Sequence, residues 1–258
     1  MLQPRITPCL LIRNKGLVKT VNFKPFKYIG DPINAVRIFN EKEADELIVL
    51  DIDATSKATE PDFSLIKKLA AECRMPLCYG GGIKTLDQAK KIILLGVEKI
   101  ALSSEFILNP RIVSEISKEI GSQSVVVVLD VKKTAFGRYR VYINNGKKST
   151  GKSPIELAQL AENLGAGEVI INSIENDGSM SGYDLNLATK VNKSIEIPIT
   201  LLGGMGNLKH AEELIKQCGI VGVAAGSFFV FKGSLRAVLI NYPTFTEKRN
   251  LIKNAYEL

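Results

Sequence analysis

A (β/α)₈ barrel built from two similar half-barrels is the fold this sequence predicts, and three observations predict it. Short β-branched runs alternate with amphipathic segments about eight times. Several of the runs, such as VVVVL at residues 125–129, are apolar along both faces, which suits a parallel sheet covered by helices. Motifs also recur about half a chain length apart. Pro32, Ile33, Ala44 and Glu46 recur as Pro154, Ile155, Ala166 and Glu168, while Gly81, Gly82, Thr85, Ala89 and Gly96 recur as Gly203, Gly204, Asn207, Ala211 and Gly219. A solenoid repeat would be much shorter. The 258 residues suit one barrel domain spanning residues 1–258.

The strands are predicted at residues 5–11, 46–51, 75–80, 99–103, 124–130, 168–173, 197–203 and 221–226. Between them, DQAKKIILL at 87–95 and IELAQLAENL at 155–164 space their apolar residues by three and four, as one helix face requires. The segment from Asn14 to Ile29 is too long for a plain connection. It carries Lys15, Lys19, Lys24 and Lys27, so it reads as a basic lid or as a solvated loop.

The composition excludes several classes. It is 45% hydrophobic and 24% charged, enough for a large core, with no apolar run long enough to span a bilayer. No apolar signal region opens the chain, so a cytoplasmic protein is expected. The net charge of +7 suits an anionic ligand. Its lysines and arginines are scattered and not interleaved with aromatics, which argues against nucleic acid. Cys9, Cys73, Cys78 and Cys218 lack a CxxC spacing and read as buried thiols. His210 is the only histidine, so neither a His-based metal site nor a metal is expected, and His210 reads as a surface residue near a helix start.

In such a barrel the chemistry gathers at the C-terminal strand ends. Gly81 and Gly82, and their repeats Gly203 and Gly204, precede helix starts where backbone N–H groups approach an anion; tight turns would also explain them. Ser103 and Ser104 end the next strand, as Gly226 and Ser227 do in the second half. The chain therefore has two candidate phosphate cups, or two ordinary pairs of turn residues. Asp130 follows VVVVL and is placed as a general acid or base, or as a cap or ion-pair partner. Asp51 also ends a strand and reads as an orienting group. Asp177-Gly178 is read as another strand end, with Asp177 capping a phosphate loop.

The stretches RITPCL, GLVKTVNF, GDP, ADELIVLDI, GGGI, GSQSVVVVLD, GAGE and DGSMSGYD together identify a resemblance covering nearly the whole chain. It resembles the cyclase subunit of imidazole glycerol phosphate synthase. That resemblance implies a lyase- or synthase-type subunit paired with a glutaminase in a heterodimer. Ammonia from the glutaminase converts a bis-phosphorylated ribulosyl intermediate to imidazole glycerol phosphate and an aminoimidazole ribonucleotide. No cofactor is implied. The family's mechanism uses two aspartates, and the second is Asp130. At the position of the first, after PCL, stands Leu11, which cannot transfer a proton. Ser103-Ser104 replaces Asn-Thr or Asn-Ser, Asn172 replaces Thr, and Leu202 replaces Ser. Lys19 in the lid, Asp51 and Asn172 take the lid and orienting positions.

The resemblance also implies a gate for ammonia at the barrel floor, formed by Arg5, Glu46, Lys99 and Glu168. Strand parity agrees with it: Arg5 shares its side with Leu11, Lys99 with Ser103, and Glu168 with Asn172. A plug of ion pairs that only stabilises the floor is the other reading, and Glu98 is placed toward the partner. A preserved floor beneath an altered mouth resembles a paralogous branch linked to surface polysaccharides. In that branch the pair supplies ammonia to a third protein that builds acetamidino groups on sugars. The alternatives are an authentic cyclase of histidine biosynthesis and a scaffold that only activates a glutaminase.

Overall fold

The structure is a computed structural model that describes residues 3–24 and 26–256. Met1 and Leu2, at the start of the segment read for a signal region, and Pro25 of the lid segment lie outside the described residues. Eight parallel strands close into a barrel: β1 (Arg5–Arg13), β2 (Leu47–Asp51), β3 (Leu77–Gly80), β4 (Lys99–Leu102), β5 (Val125–Lys133), β6 (Glu168–Ser173), β7 (Ile199–Leu202) and β8 (Gly222–Ala225). Sequential strands are neighbours throughout, and β8 returns to β1 with Arg5 opposite Gly222. This is the (β/α)₈ barrel predicted from the alternation.

The twofold repeat is visible in how the helices begin. Pro32 and Pro154 both start helices, Pro32–Glu41 and Pro154–Asn163, where the fixed φ and missing N–H of proline do no harm. Asp31 accepts a hydrogen bond from Asn34 N, and Ser153 forms a capping box with Glu156. Thr85 and Asn207 likewise cap Leu86–Leu94 and Leu208–Cys218.

Two apolar layers follow from strand alternation. One face of each strand packs outward on the helices, with Phe39, Leu47, Ile100, Phe106, Val127 and Phe229 almost wholly buried. The other face fills the barrel with Cys9, Ile48, Cys78, Ala101, Val126, Val128, Ile170, Leu202 and Ala224; Leu11 and Leu50 pack on top. The thiols differ from the reading as four buried groups. Cys9 and Cys78 are buried, while Cys73 and Cys218 are half-buried at helix ends. Among the described residues, no helix is long and apolar enough to cross a membrane.

Two connections differ from expectation. The lid segment is a two-stranded antiparallel ribbon, Gly16–Lys19 against Lys27–Gly30, and its first strand pairs with the end of β1. Asn14 and Lys15 turn the chain with φ of 48° and 63°. That local turn is why β1 runs on to Arg13. β5 similarly runs past Asp130 to Lys133, pairing antiparallel with Tyr139–Ile143. The other predicted strand ends match or differ by at most two residues, because hydrogen bonding and not hydrophobicity sets the last paired residue.

Candidate functional site

At the barrel floor four charges from β1, β4, β6 and the residue before β2 form a closed ring of alternating sign. Arg5 Nη1 lies 3.0 Å from Glu46 Oε2, and Nη2 donates to Glu168 Oε1 at 2.8 Å. Lys99 Nζ donates to Glu46 Oε1 at 2.6 Å and to Glu168 Oε2 at 2.8 Å. The Thr200 hydroxyl adds a short hydrogen bond to Glu168. Both glutamates are buried, whereas Arg5 and Lys99 are half-buried. Burial pushes the Glu168 carboxyl up, but Arg5 and Lys99 outweigh it and hold it below its ordinary range. Burial works against the charges of Arg5 and Lys99, and the two glutamates still raise both. Beside the ring, exposed Glu98 is tied back to its own fold, accepting from Leu77 N at 2.7 Å.

Above the ring the barrel interior is mainly apolar up to the mouth, with the buried Thr7 on the same side of β1 as Arg5 and Cys9. Burial pushes the Cys9 thiol up to about 12, so it stays protonated and behaves as a small hydrophobe.

The mouth opens into a cavity of about 550 Å³. Leu11, Ser103 and Asn172 line it, as strand parity required, together with Asp130 and Leu202. Asn172 Nδ2 donates to Asp130 Oδ1 at 2.9 Å. Burial pushes Asp130 up to about 7; the Asn172 hydrogen bond lowers it and the Asp177 charge raises it. Leu11 lies between Leu50 of β2 and Val18 of the ribbon in the strand pairing. Leu11 and Asp130 thus line the same cavity, the one apolar and the other a carboxyl.

The first glycine cup is open to this cavity. Gly81, Gly82, Ser103 and Ser104 all line it. Gly81 and Gly82 have φ of 127° and 73°, and a Cβ at Gly81 would fall 2.6 Å from Asp51 O. Ser103 precedes the short helix Ser104–Leu108 and its hydroxyl makes no cap hydrogen bond. Asp51 supports the neighbouring turn, accepting from Asp53 N and Ala54 N at 3.0 and 3.1 Å.

The second cup is packed shut. Gly204 O accepts from Gly182 N at 2.8 Å, and Gly206 N donates to His210 Nδ1 at 3.1 Å. His210 is thus half-buried and holds the glycine loop, unlike the plain surface residue expected. Only Gly226 and Asp177 of this group reach the cavity, and the Lys19 chain lies across Gly226, with Cε 2.8 Å from where a Cβ would stand. Ser227 Oγ is buried without a partner.

Asp177 does not end a strand. It sits in the turn after β6, with Asp177 N donating to Ser173 O at 2.9 Å. Its carboxylate accepts from Lys19 Nζ at 2.6 Å and Thr20 Oγ1 at 2.9 Å, which ties it to the ribbon. Gly178, with φ of 71°, lets Thr20 O approach closely. The β-branched run that defined β6 gave no sign of where hydrogen bonding would stop.

Arg13 is a cavity residue that sequence reasoning missed. It stacks on Phe26 at 4.3 Å and pairs with Asp53 at 3.2 Å, and Asp53 also holds Lys57 at 2.7 Å. Arg13 lies two residues beyond Leu11 on the same face, so extending β1 by one pair would have found it. Among the described residues, no group of three or more His, Cys, Asp or Glu side chains is placed to hold a metal ion.

Comparison with known proteins gives a consistent picture. Residues 5–236 match the family described as "Histidine biosynthesis protein". A protein of Leptospira borgpetersenii, provisionally named imidazole glycerol phosphate synthase subunit HisF, is 57% identical over 97% of this chain and 99% of its own. A provisionally named subunit hisF2 of Pseudomonas aeruginosa is 47% identical over 94% of this chain and 97% of its own. The imidazole glycerol phosphate synthase subunit HisF of Alkaliphilus metalliredigens is 36% identical over 88% of this chain and 91% of its own.

Proposed function

The chain belongs to the histidine biosynthesis protein family, in its imidazole glycerol phosphate synthase subunit HisF line, and from that premise we propose that it is a barrel subunit that conducts ammonia without cyclising. In this reading a glutaminase docks beneath the floor as the other half of a heterodimer. Ammonia enters where the ring of Arg5, Glu46, Lys99 and Glu168 opens. It crosses the apolar interior and emerges at the mouth beside a phosphorylated ligand. A third protein then uses it to amidinate a surface-polysaccharide sugar.

The observation that carries this reading is the contrast between the two ends of the barrel. The floor keeps a fully paired charge ring, which is costly to bury unless it serves a purpose or is well compensated. The mouth has Leu11, Leu50 and Leu202 beside Asp130, while Asp51, Asp53 and Asp177 of the same cavity are held by hydrogen bonds or ion pairs. Loss of one member of an acid–base pair costs on the order of 10²–10⁴ in rate. A neutral molecule such as ammonia loses little by crossing an apolar passage, whereas ammonium would pay a large desolvation cost. The phosphate reading rests on the first cup, whose glycine backbone and two serines face the cavity. The relatives are consistent with a separate branch: the two provisionally named subunits are 57% and 47% identical, above the 36% of the Alkaliphilus metalliredigens HisF subunit.

Deletion of the gene tests this function. The expected strain grows without added histidine and lacks amidino groups on its surface sugars by mass spectrometry. Histidine auxotrophy, or an unchanged sugar spectrum, would overturn the proposal.

A further inference from the structure

The excess positive charge is not scattered after all. Residues 131–152 hold seven of the 34 Lys and Arg and none of the 27 Asp and Glu. The remaining 27 cations equal the 27 acids, so the net charge of +7 resides in this one segment. It forms an arm: the end of β5 pairs antiparallel with Tyr139–Ile143, which pairs in turn with Lys148–Ser149. The arm is firmly held. Val131, Val141 and Ile143 are buried. The Tyr139 hydroxyl donates to Asp184 at 2.9 Å. Asn145 Nδ2 donates to Ile52 O at 2.9 Å, which ties the turn of the arm to the segment after β2. Asn144, Asn145 and Lys147 line the mouth cavity, so the arm stands beside the opening.

Most of these cations have no carboxylate partner. Among the described residues only Lys133 of the seven forms an ion pair, with Asp184 at 3.8 Å. Lys132, Arg138, Lys147, Lys148 and Lys152 are exposed. Like charges gathered in one segment repel each other, and an acidic surface laid against them relieves that repulsion. At the tip stands Phe136, 92% exposed, the sole exposed large apolar side chain among the described residues of the arm. One aromatic anchor within a charged rim is the make-up of a protein interface. A membrane-binding element would present an apolar face of several side chains, and contacts to a phosphate backbone would not call for the phenyl ring. Resting on the reading of this chain as an ammonia-conducting subunit, we propose that the protein that takes up the ammonia docks on this arm through an acidic face, with Phe136 seated in an apolar pocket of that face. The charge steers that protein to the mouth, the end of the barrel opposite the floor where the glutaminase docks.

The test uses the full chain in its own cell. Lys132→Glu, Arg138→Glu and Lys148→Glu are combined in one arm variant. Lys67→Glu, Lys68→Glu and Lys209→Glu, at exposed positions on two outer helices, make a control with the same change in net charge. The arm variant should keep the native melting temperature and lower amidination of surface sugars at least about tenfold by mass spectrometry, a modest scale for like charges facing one another in an interface. The control should leave amidination unchanged. Benzoylphenylalanine placed at position 136 of the otherwise native chain should crosslink, on irradiation, to a protein whose own deletion removes the amidino groups. Normal amidination by a folded arm variant would overturn the docking, as would failure of position 136 to capture such a protein; if the arm variant unfolds, the crosslink decides alone. Binding of the purified chain to vesicles of phosphatidylcholine and phosphatidylglycerol in equal parts, or to a short DNA duplex, lost in the arm variant while amidination stays normal, would assign the arm to a membrane or a nucleic acid instead. If deletion of the whole gene leaves the sugars unchanged, the ammonia reading falls and the docking with it, whereas a deletion phenotype without an arm phenotype sinks the docking alone.

Discussion

Asn172 Nδ2 donates to Asp130 Oδ1 at 2.9 Å, and the two residues stand opposite each other in the register of β5 and β6. The pair joins Asp130, one of the carboxyls that line the mouth, to a neutral amide.

The first prediction concerns the titration of Asp130. Burial pushes it up to about 7, with the Asn172 hydrogen bond lowering it and Asp177 raising it. An unfolded aspartate titrates near ~3.9. Below that pH both states hold the proton and the native state carries no penalty. As pH rises from about 4 to about 7 the unfolded chain releases its proton first, so stability falls across that window and then levels. Carbon-13 NMR of the Asp130 carboxyl should show a step near pH 7, moving higher in Asn172→Leu. A step near the ordinary aspartate value would contradict the buried placement.

A second prediction addresses the floor ring. Glu168 accepts from Arg5, Lys99 and Thr200 and is 6% exposed. Glu168→Leu should therefore cost about 3–5 kcal/mol, because two cations lose a buried partner. Arg5→Ala should cost less, since Arg5 is about one-third exposed and solvent screens it. Urea unfolding measures both, as a shift in midpoint with unchanged slope. The Glu168 carboxyl is held below its ordinary range, so its contribution is present above about pH 4.3 and lost as pH falls through the native value. Glu168→Leu should thus show less acid sensitivity than the native chain.

The third prediction is for Leu11→Asp. The substitution puts a carboxylate onto the apolar wall formed with Leu50 and Leu202. It should lower stability by about 1–3 kcal/mol by thermal melting. It should also raise the Asp130 titration further, since like charges sharing one cavity disfavour each other. Amidination in the cell should be unaffected. An unchanged Asp130 titration would mean that the two positions do not face one another.

Much of this was readable before the structure. The half-length repeat is expressed in the paired starts at Pro32 and Pro154 and in the caps Thr85 and Asn207. Strand parity put Arg5 and Leu11, or Glu168 and Asn172, on one interior line, because side-chain direction in a strand is fixed by counting. The ribbon in the lid and the extension of β5 were not readable. Both depend on antiparallel hydrogen bonding between segments with little hydrophobic pattern, such as Lys27–Gly30. Nor does the glycine repeat reveal that the first cup is open while the second lies under Lys19. That difference arises from the Lys19–Asp177 pair, whose members are 158 positions apart.

The most direct test of ammonia conduction without cyclisation is turnover of the ribulosyl bis-phosphate intermediate by the purified chain with excess ammonium salt, alongside an authentic cyclase. Supplying ammonia directly removes any need for a glutaminase. The expected result is turnover at least about 10²-fold below the control, the scale set by a missing acid or base. Turnover within about tenfold of the control would contradict the proposal, for it would mean that Asp130 performs the cyclase chemistry opposite Leu11 without a second acid.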